Sequence, residues 1–424
     1  MVIERGKYTS AQHVNIVLAN NLGEIILDDL TKKFLDTLNY QYWKVIRNFV
    51  EANQELKKTI PTFLLSPENL NIYVGKQHIA IEYIGVYNRP ILDEKMVECK
   101  VYDYSESGNF IEEIIGINYD EAPMIIPIEG YVDDLYVTTL EATGILAENN
   151  WNFTAQEMVF VLNVSGLSLG EGFTRLRNCF FYEKNGDGLK VRNIKWMDIF
   201  PINKIDIDED TEEVTISFPN LPMLAIEDAQ YSLPEKLNFQ YEKLAIMNRF
   251  IELYNSEGTS ETDITRFLAE PENQFILKMS FFGSMIHAEK ECKWIDNEER
   301  SPIRPDFFVV GSDGFADILE FKLPRMKTAT VVVGKPNRET FSAELHSYIA
   351  QTRVYSEYFE DPRNRKLIKD SYGIQAHYPK RFIVVGRRWM FAPAEWRAII
   401  NEYKDITIRT YDDIVDTVMG HLMS

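Results

Sequence analysis

The stretch Pro305–Lys322, PDFFVVGSDGFADILEFK, decides how the C-terminal part of this chain is read. Two short apolar runs flank Gly311-Ser312-Asp313-Gly314, a pattern that predicts a β-hairpin. A three-residue loop, Ser312-Asp313-Gly314, with Gly314 in the left-handed region, closes the hairpin on Gly311 opposite Phe315. Counting outward sets Asp306 opposite Glu320 and Arg304 opposite Lys322. Strand side chains alternate at period two, so Asp306, Glu320 and Lys322 share one face. Asp317 falls on the other face with Leu319 and Phe321 and is the weaker carboxylate candidate.

This grouping has a chemical reading. Two carboxylates a few ångströms apart repel unless a cation sits between them. A hard divalent ion such as Mg²⁺ takes one or two carboxylates plus waters and phosphate oxygens. It can polarise a phosphoryl oxygen and acidify a water. Lys322 can orient that water or offset charge developing on the phosphate. The plainer alternative is a surface hairpin carrying an ordinary Glu–Lys pair.

The literal pattern, Pro305-Asp306 followed by Glu320-x-Lys322, resembles the PD-(D/E)xK nuclease superfamily. The resemblance implies that Asp306 and Glu320 bind Mg²⁺ or Mn²⁺ and that Lys322 assists the attacking water. The flanking elements agree. A helix capped by Ser260, with Asp263 in its first turn, runs to Pro271 and resumes over Phe275–Met279. A strand is expected over Ile286–Trp294, then the hairpin, then a long helix from about Arg338 to Phe359. Arg381–Gly386 reads as an interior strand, Pro393–Tyr403 as a helix, Ile406–Thr410 as a strand and Tyr411–Leu422 as a helix. The order α-β-β-β-α-β is that of the superfamily core, with an α-β-α extension.

Gln351-Thr352-Arg353-Val354-Tyr355 resembles the Q-x-x-x-Y element of RecB-like members. Residues four apart share a helix face, so the resemblance implies a catalytic Gln351, with Tyr355 holding substrate. It also implies that Glu261 joins the metal shell; the alternative is a first-turn acid that complements the helix dipole. Arg325, Lys327, Lys335 and Arg338 follow the hairpin and are candidate contacts to DNA phosphates, the dominant source of DNA affinity. Arg387-Arg388-Trp389 offers cations beside a ring.

Residues 257–424 resemble the Shedu anti-phage nuclease domain, through ETDITRFLAEPE, the RPDF…DILEFKLP hairpin and QTRVYSEY. This implies a prokaryotic defence protein that nicks or cuts DNA, in particular phage DNA, and works as a homodimer or homotetramer.

The rest of the chain sets bounds. Its 424 residues are 45% hydrophobic and 26% charged, an ordinary globular composition. Three separated cysteines, Cys99, Cys179 and Cys292, make neither a zinc motif nor a disulfide framework. The start of the chain lacks a signal-peptide pattern, and no apolar run approaches the roughly 20 residues of a membrane span. A cytoplasmic protein with no membrane partner is expected. Net charge is −20, but residues 1–255 carry −17 of it and residues 256–424 only −3. An acidic N-terminal part would repel DNA and restrain non-specific cutting, or would face solvent far from the site and aid solubility; regulation, sensing and assembly are the roles the resemblance implies for it.

Val14–Leu18, Glu24–Leu27, Asn71–Val74, His78–Val86, Val97–Tyr104 and Asp134–Leu140 read as strands, and Leu30 to about Leu56 as a helix. His78 reads as a structural histidine. Beyond Asn149-Asn150, strands are expected over Met158–Val164, Asn178–Tyr182, Lys190–Trp196 and Glu213–Phe218. The Gly166–Gly172 run reads as a loop, since no phosphate-cradle motif completes it. Asp206–Asp210 reads as a hairpin tip. Leu237 to about Tyr254 reads as a linker helix. The expected architecture is a multidomain α/β protein. It comprises an α+β domain over 1–148, a β-rich domain over 149–222, a linker helix within 223–256 and a restriction-endonuclease-like domain over 257–424.

Overall fold

The alternation in HIAIEYI forms one strand, His78–Ile84, and shows why the N-terminal region folds around a sheet. Ile79 and Ile81 enter one apolar core, while Ala80 enters the other. A sheet covered on both faces needs apolar residues at both parities. In this computed structural model the described residues are 12–19, 23–65, 69–84, 98–117, 124–155, 158–162, 165–206, 211–231, 239–296, 299–326, 331–335 and 338–423. The protein is a mixed α/β molecule of two units. The first holds residues 1–143, 156–184 and 190–237, and the second 144–155, 185–189 and 238–424.

The first unit is built on a 10-stranded sheet. Its main order is Glu98–Tyr104, Asn69–Gly75, His78–Ile84, Gly188–Asp206, Ser165–Asn185, Leu135–Thr139 and Met158–Leu162. Met124–Asp133 pairs with Ser165–Asn185, and Thr211–Phe218 joins Gly188–Asp206 to Gln12–Ala19. Strands from both sides of residue 149 share this sheet, so the expected separation of 1–148 from 149–222 does not describe it. Inside the sheet, Arg175 is fully buried. Its Nε lies 2.5 Å from Asp198 Oδ1 and its Nη1 2.6 Å from Asp228 Oδ1. Tyr42 donates to Asp228 Oδ2 at 2.5 Å, and the Trp196 ring stacks under the guanidinium at 4.6 Å.

Three local expectations are corrected here. Glu24–Leu27 lies within the helix Gly23–Leu38, whose Leu30, Phe34 and Leu38 form one buried helical stripe. The glycine run 166–172 is strand, part of Ser165–Asn185. Gly170 and Gly172 admit the Glu129 side chain, which a Cβ at either position would meet within 3.0 Å. The helix Phe239–Asn255 is not a free linker: Phe250 and Tyr254 sit in the second unit's core. His78 is satisfied, with Nε2 3.1 Å from the Gly170 carbonyl. Lys327 and most of Asp206–Asp210 lie outside the described residues.

The second unit has a five-stranded sheet in the order Met285–Ala288, Phe307–Val310, Ala316–Phe321, Arg381–Val384 and Ile406–Arg409. The first three strands are antiparallel and the last two join in parallel. A parallel pair needs a crossover; here Ala343–Glu360 and Pro362–Tyr372 supply it. The expected strand to Trp294 stops at Ala288, because Glu289 takes a φ of 44° and turns the chain out of the sheet. Even-numbered Ile318 packs with Tyr355 and Tyr358 of the long helix. Odd-numbered Phe321 packs against Tyr411 on the other side, at 6.0 Å between rings. That alternation aims Glu320 at the long helix.

Arg175→Met should remove roughly 3–5 kcal/mol of the first unit's stability, since it strands two buried carboxylates. Urea unfolding followed by tryptophan fluorescence checks this. A midpoint within error of wild type would show that the network carries no such constraint.

Candidate active site

The hairpin closes as its loop chemistry requires. Gly314 has a φ of 82°, and the Gly311 N–H donates to the Phe315 carbonyl at 2.8 Å. Phe307 pairs with Leu319 and Val310 with Ala316, a register that extends to Asp306 opposite Glu320. Asp306 Oδ2 then accepts from the Phe321 N–H at 2.7 Å. The Lys322 N–H donates to the Val384 carbonyl at 2.8 Å, and Tyr411 Oη donates to the Lys322 carbonyl at 2.7 Å. These bonds fix the backbone on both sides of the two charged side chains.

The side chains converge. Lys322 Nζ donates to Glu320 Oε1 at 3.1 Å and to Glu261 Oε2 at 3.3 Å. Tyr355 Oη donates to Glu320 Oε2 at 3.1 Å. Glu261 is placed by a capping box: Ser260 accepts from the Asp263 N–H at 3.2 Å, and Asp263 accepts from the Ser260 N–H at 3.0 Å. Glu320 is 3% exposed and Lys322 5%, so this is no surface pair.

Burial governs the electrostatics. Removal from water, then repulsion from Glu320, pushes the Asp306 carboxyl up to about 7, against the pull of the Phe321 N–H and Lys322. Burial also raises Glu320, although Lys322 and Tyr355 oppose it. For Lys322, burial disfavours charge, but Glu320 and Glu261 outweigh it and hold the ammonium above its ordinary range. Lys322 is therefore a donor and a fixed positive charge, not a proton acceptor.

Other expected residues stand apart from this cluster. Gln351 is exposed, one helical turn before Tyr355, and makes no bond to the four charged side chains. Arg325 is half-buried and donates to the Asn255 carbonyl at 3.0 Å, with Glu257 at 3.7 Å. Its guanidinium is thus partly engaged within the fold. Lys335 and Arg338 are exposed, and the Arg338 N–H donates to the Lys335 carbonyl at 2.8 Å. Arg387 pairs with Asp412 and Arg388 with Asp416, while Trp389 is exposed. Asp317 faces away and accepts from the Lys380 N–H at 2.8 Å.

Two aromatic residues complete the site. The Tyr348 ring lies 5.7 Å from Lys322 Nζ, and its hydroxyl donates to Glu344 at 2.8 Å. Tyr348 precedes Tyr355 by seven residues, two helical turns, so helix periodicity signals it. Tyr411 has no such local signal.

Among the described residues, no three His, Cys, Asp or Glu side chains are gathered to hold a metal ion. Mg²⁺ does not need three, since it keeps waters and uses one or two carboxylates. The hard oxygens of Asp306 and Glu320, held close together out of water, fit such an ion. No protein-family model matches the chain, and no curated protein matches its sequence. No helix among the described residues is long and apolar enough to cross a membrane.

The Asp306 carboxyl binds its proton more tightly folded than unfolded, where its value is about 3.9. Its contribution to stability is therefore present at low pH and is lost as pH rises from about 4 to about 7. In chelator, Asp306→Asn should gain on wild type across that window and gain nothing more above it. Urea midpoints at several pH values measure the difference; a constant difference would show that Asp306 is not held against Glu320.

Proposed function

We propose that this chain is a divalent-metal-dependent DNA endonuclease, acting in prokaryotic defence against phage as a homo-oligomer. The observation that carries the reading is the buried group of Asp306, Glu320 and Lys322, with Glu261 beside it, at the open end of a Pro-Asp/Glu-x-Lys hairpin. The likeness of these motifs to the PD-(D/E)xK and Shedu nucleases supports DNA as the substrate.

In this reading Asp306 and Glu320 hold Mg²⁺ or Mn²⁺, while Glu261 engages Lys322 beside them. When bound, the ion supplies Lewis acidity to the phosphoryl group and eases deprotonation of the attacking water. The protein's own groups do the positioning. Phe321 N–H orients Asp306, and Tyr355 orients Glu320. Lys322, kept charged, donates toward the scissile phosphate and offsets the charge that grows there. Tyr348 shields one side of the ammonium from water.

A second reading has one observation in its favour. Lys322 already bridges Glu320 and Glu261, so the cluster is partly neutralised without a metal. A non-cleaving DNA-binding scaffold would look the same.

Incubating supercoiled plasmid with full-length protein and Mg²⁺ or Mn²⁺ decides between them. Nicking that EDTA stops is expected. Asp306→Ala and Glu320→Ala should abolish it, Lys322→Ala should lower turnover by roughly 10²–10³-fold, and Asp317→Ala should retain most activity. Plasmid that is bound but never cut under either metal would overturn the nuclease reading.

A further inference from the structure

The segment Gln375–Lys380 is tied to the hairpin's second strand at several points. The Ala316 N–H donates to the Gln375 carbonyl at 2.7 Å, and the Ile318 N–H to the Lys380 carbonyl at 2.9 Å. Asp317 accepts from the Lys380 N–H, and Ala376 is buried in the core. Between these anchors His377 and Tyr378 are thrust outward. Tyr378 is 73% exposed, and its φ of 48° is one that a side-chain-bearing residue adopts only at a steric cost.

The exposed rings form a series. Phe315, at the hairpin tip, lies 6.1 Å from His377, and His377 lies 4.6 Å from Tyr378. Arg365 sits 5.9 Å from the Tyr378 ring, its Nη1 anchored on the Phe359 and Glu360 carbonyls. Single exposed aromatics are ordinary; three in sequence beside a guanidinium are not explained by packing. Charge points the same way. Residues 361–380 hold five Lys+Arg and two Asp, a local +3 in a chain of net −20, with Arg363 paired to Asp361.

We propose that Phe315, His377 and Tyr378 form a stacking platform for unpaired bases of a nucleic-acid strand, with Lys369 and Lys380 meeting its phosphates. Every base has a π-face, so such a platform takes single strands with little regard to sequence. The proposal rests on the nucleic-acid substrate argued above and adds a second holding point for it. That point lies about 16 Å along the strand from Glu320, at about 3.3 Å per residue.

The test is fluorescence anisotropy of a fluorescein-labelled 20-nucleotide oligo-dT, with full-length protein in EDTA. Glycine adopts the Tyr378 backbone without strain, so Tyr378→Gly should melt no lower than wild type. It should nevertheless bind roughly 5- to 150-fold more weakly. Tyr378→Trp should bind as wild type does. Lys369→Ala with Lys380→Ala should reduce the slope of log affinity against log salt by about 1.4, at about 0.7 per phosphate. Unchanged binding by Tyr378→Gly overturns the platform, and if that protein still nicks plasmid the nuclease reading stands. Loss of binding in a protein that never nicks keeps the platform and removes the nuclease. Absence of oligo-dT binding by wild type at low salt overturns the platform outright.

Discussion

Two carboxylates held out of water beside one ammonium set the terms for the second unit. Asp306 and Glu320 repel each other where solvent cannot screen them, and both carboxyls are lifted above their ordinary range. Such a group persists only if the surrounding structure over-determines it. The parallel strand Arg381–Val384, the capped helix start at Glu261 and the hydroxyls of Tyr355 and Tyr411 supply that constraint. A cluster built for stability would replace the charges with apolar groups of similar volume. This one keeps them, at the end of a strand.

The two units solve the problem of buried charge differently. In the first, Arg175 is bidentate to Asp198, also pairs with Asp228 and is covered by Trp196, so its charge is satisfied by neighbours alone. In the second, Glu261 is only partly buried, and among the described residues Asp306 bonds through one oxygen, Oδ2. The first arrangement is a closed structural network. The second is less complete, and that is the physical basis for proposing chemistry there.

Asp317 illustrates how one strand divides its labour. Its face turns it from Glu320, and its carboxylate instead holds the Lys380 N–H. Burial lifts its carboxyl, against the Lys380 backbone bond that lowers it. The same hairpin thus carries the candidate catalytic carboxylates on one face. On the other it carries the anchor of the aromatic segment at residues 377–378.

Much of the site was legible in the sequence because a hairpin is local. Loop chemistry at Ser312-Asp313-Gly314 sets the register, and period-two alternation then puts Asp306, Glu320 and Lys322 together and sends Asp317 away. The cap at Ser260 is equally local, and the mixed α/β character follows from periodicity. Legibility failed where partners come from afar. Arg325 looks free in sequence, but the Asn255 carbonyl, 70 residues away, engages it. The Gly166–Gly172 run looks like a loop because composition cannot show that Glu129 needs the space. Tyr411 reaches Lys322 across 89 residues. The chain by itself determined which groups alternate onto one strand face, since backbone geometry dictates that. Only the tertiary structure decided which of them lose water and which distant hydroxyls hold them, since desolvation and long-range hydrogen bonds depend on what packs above the strand.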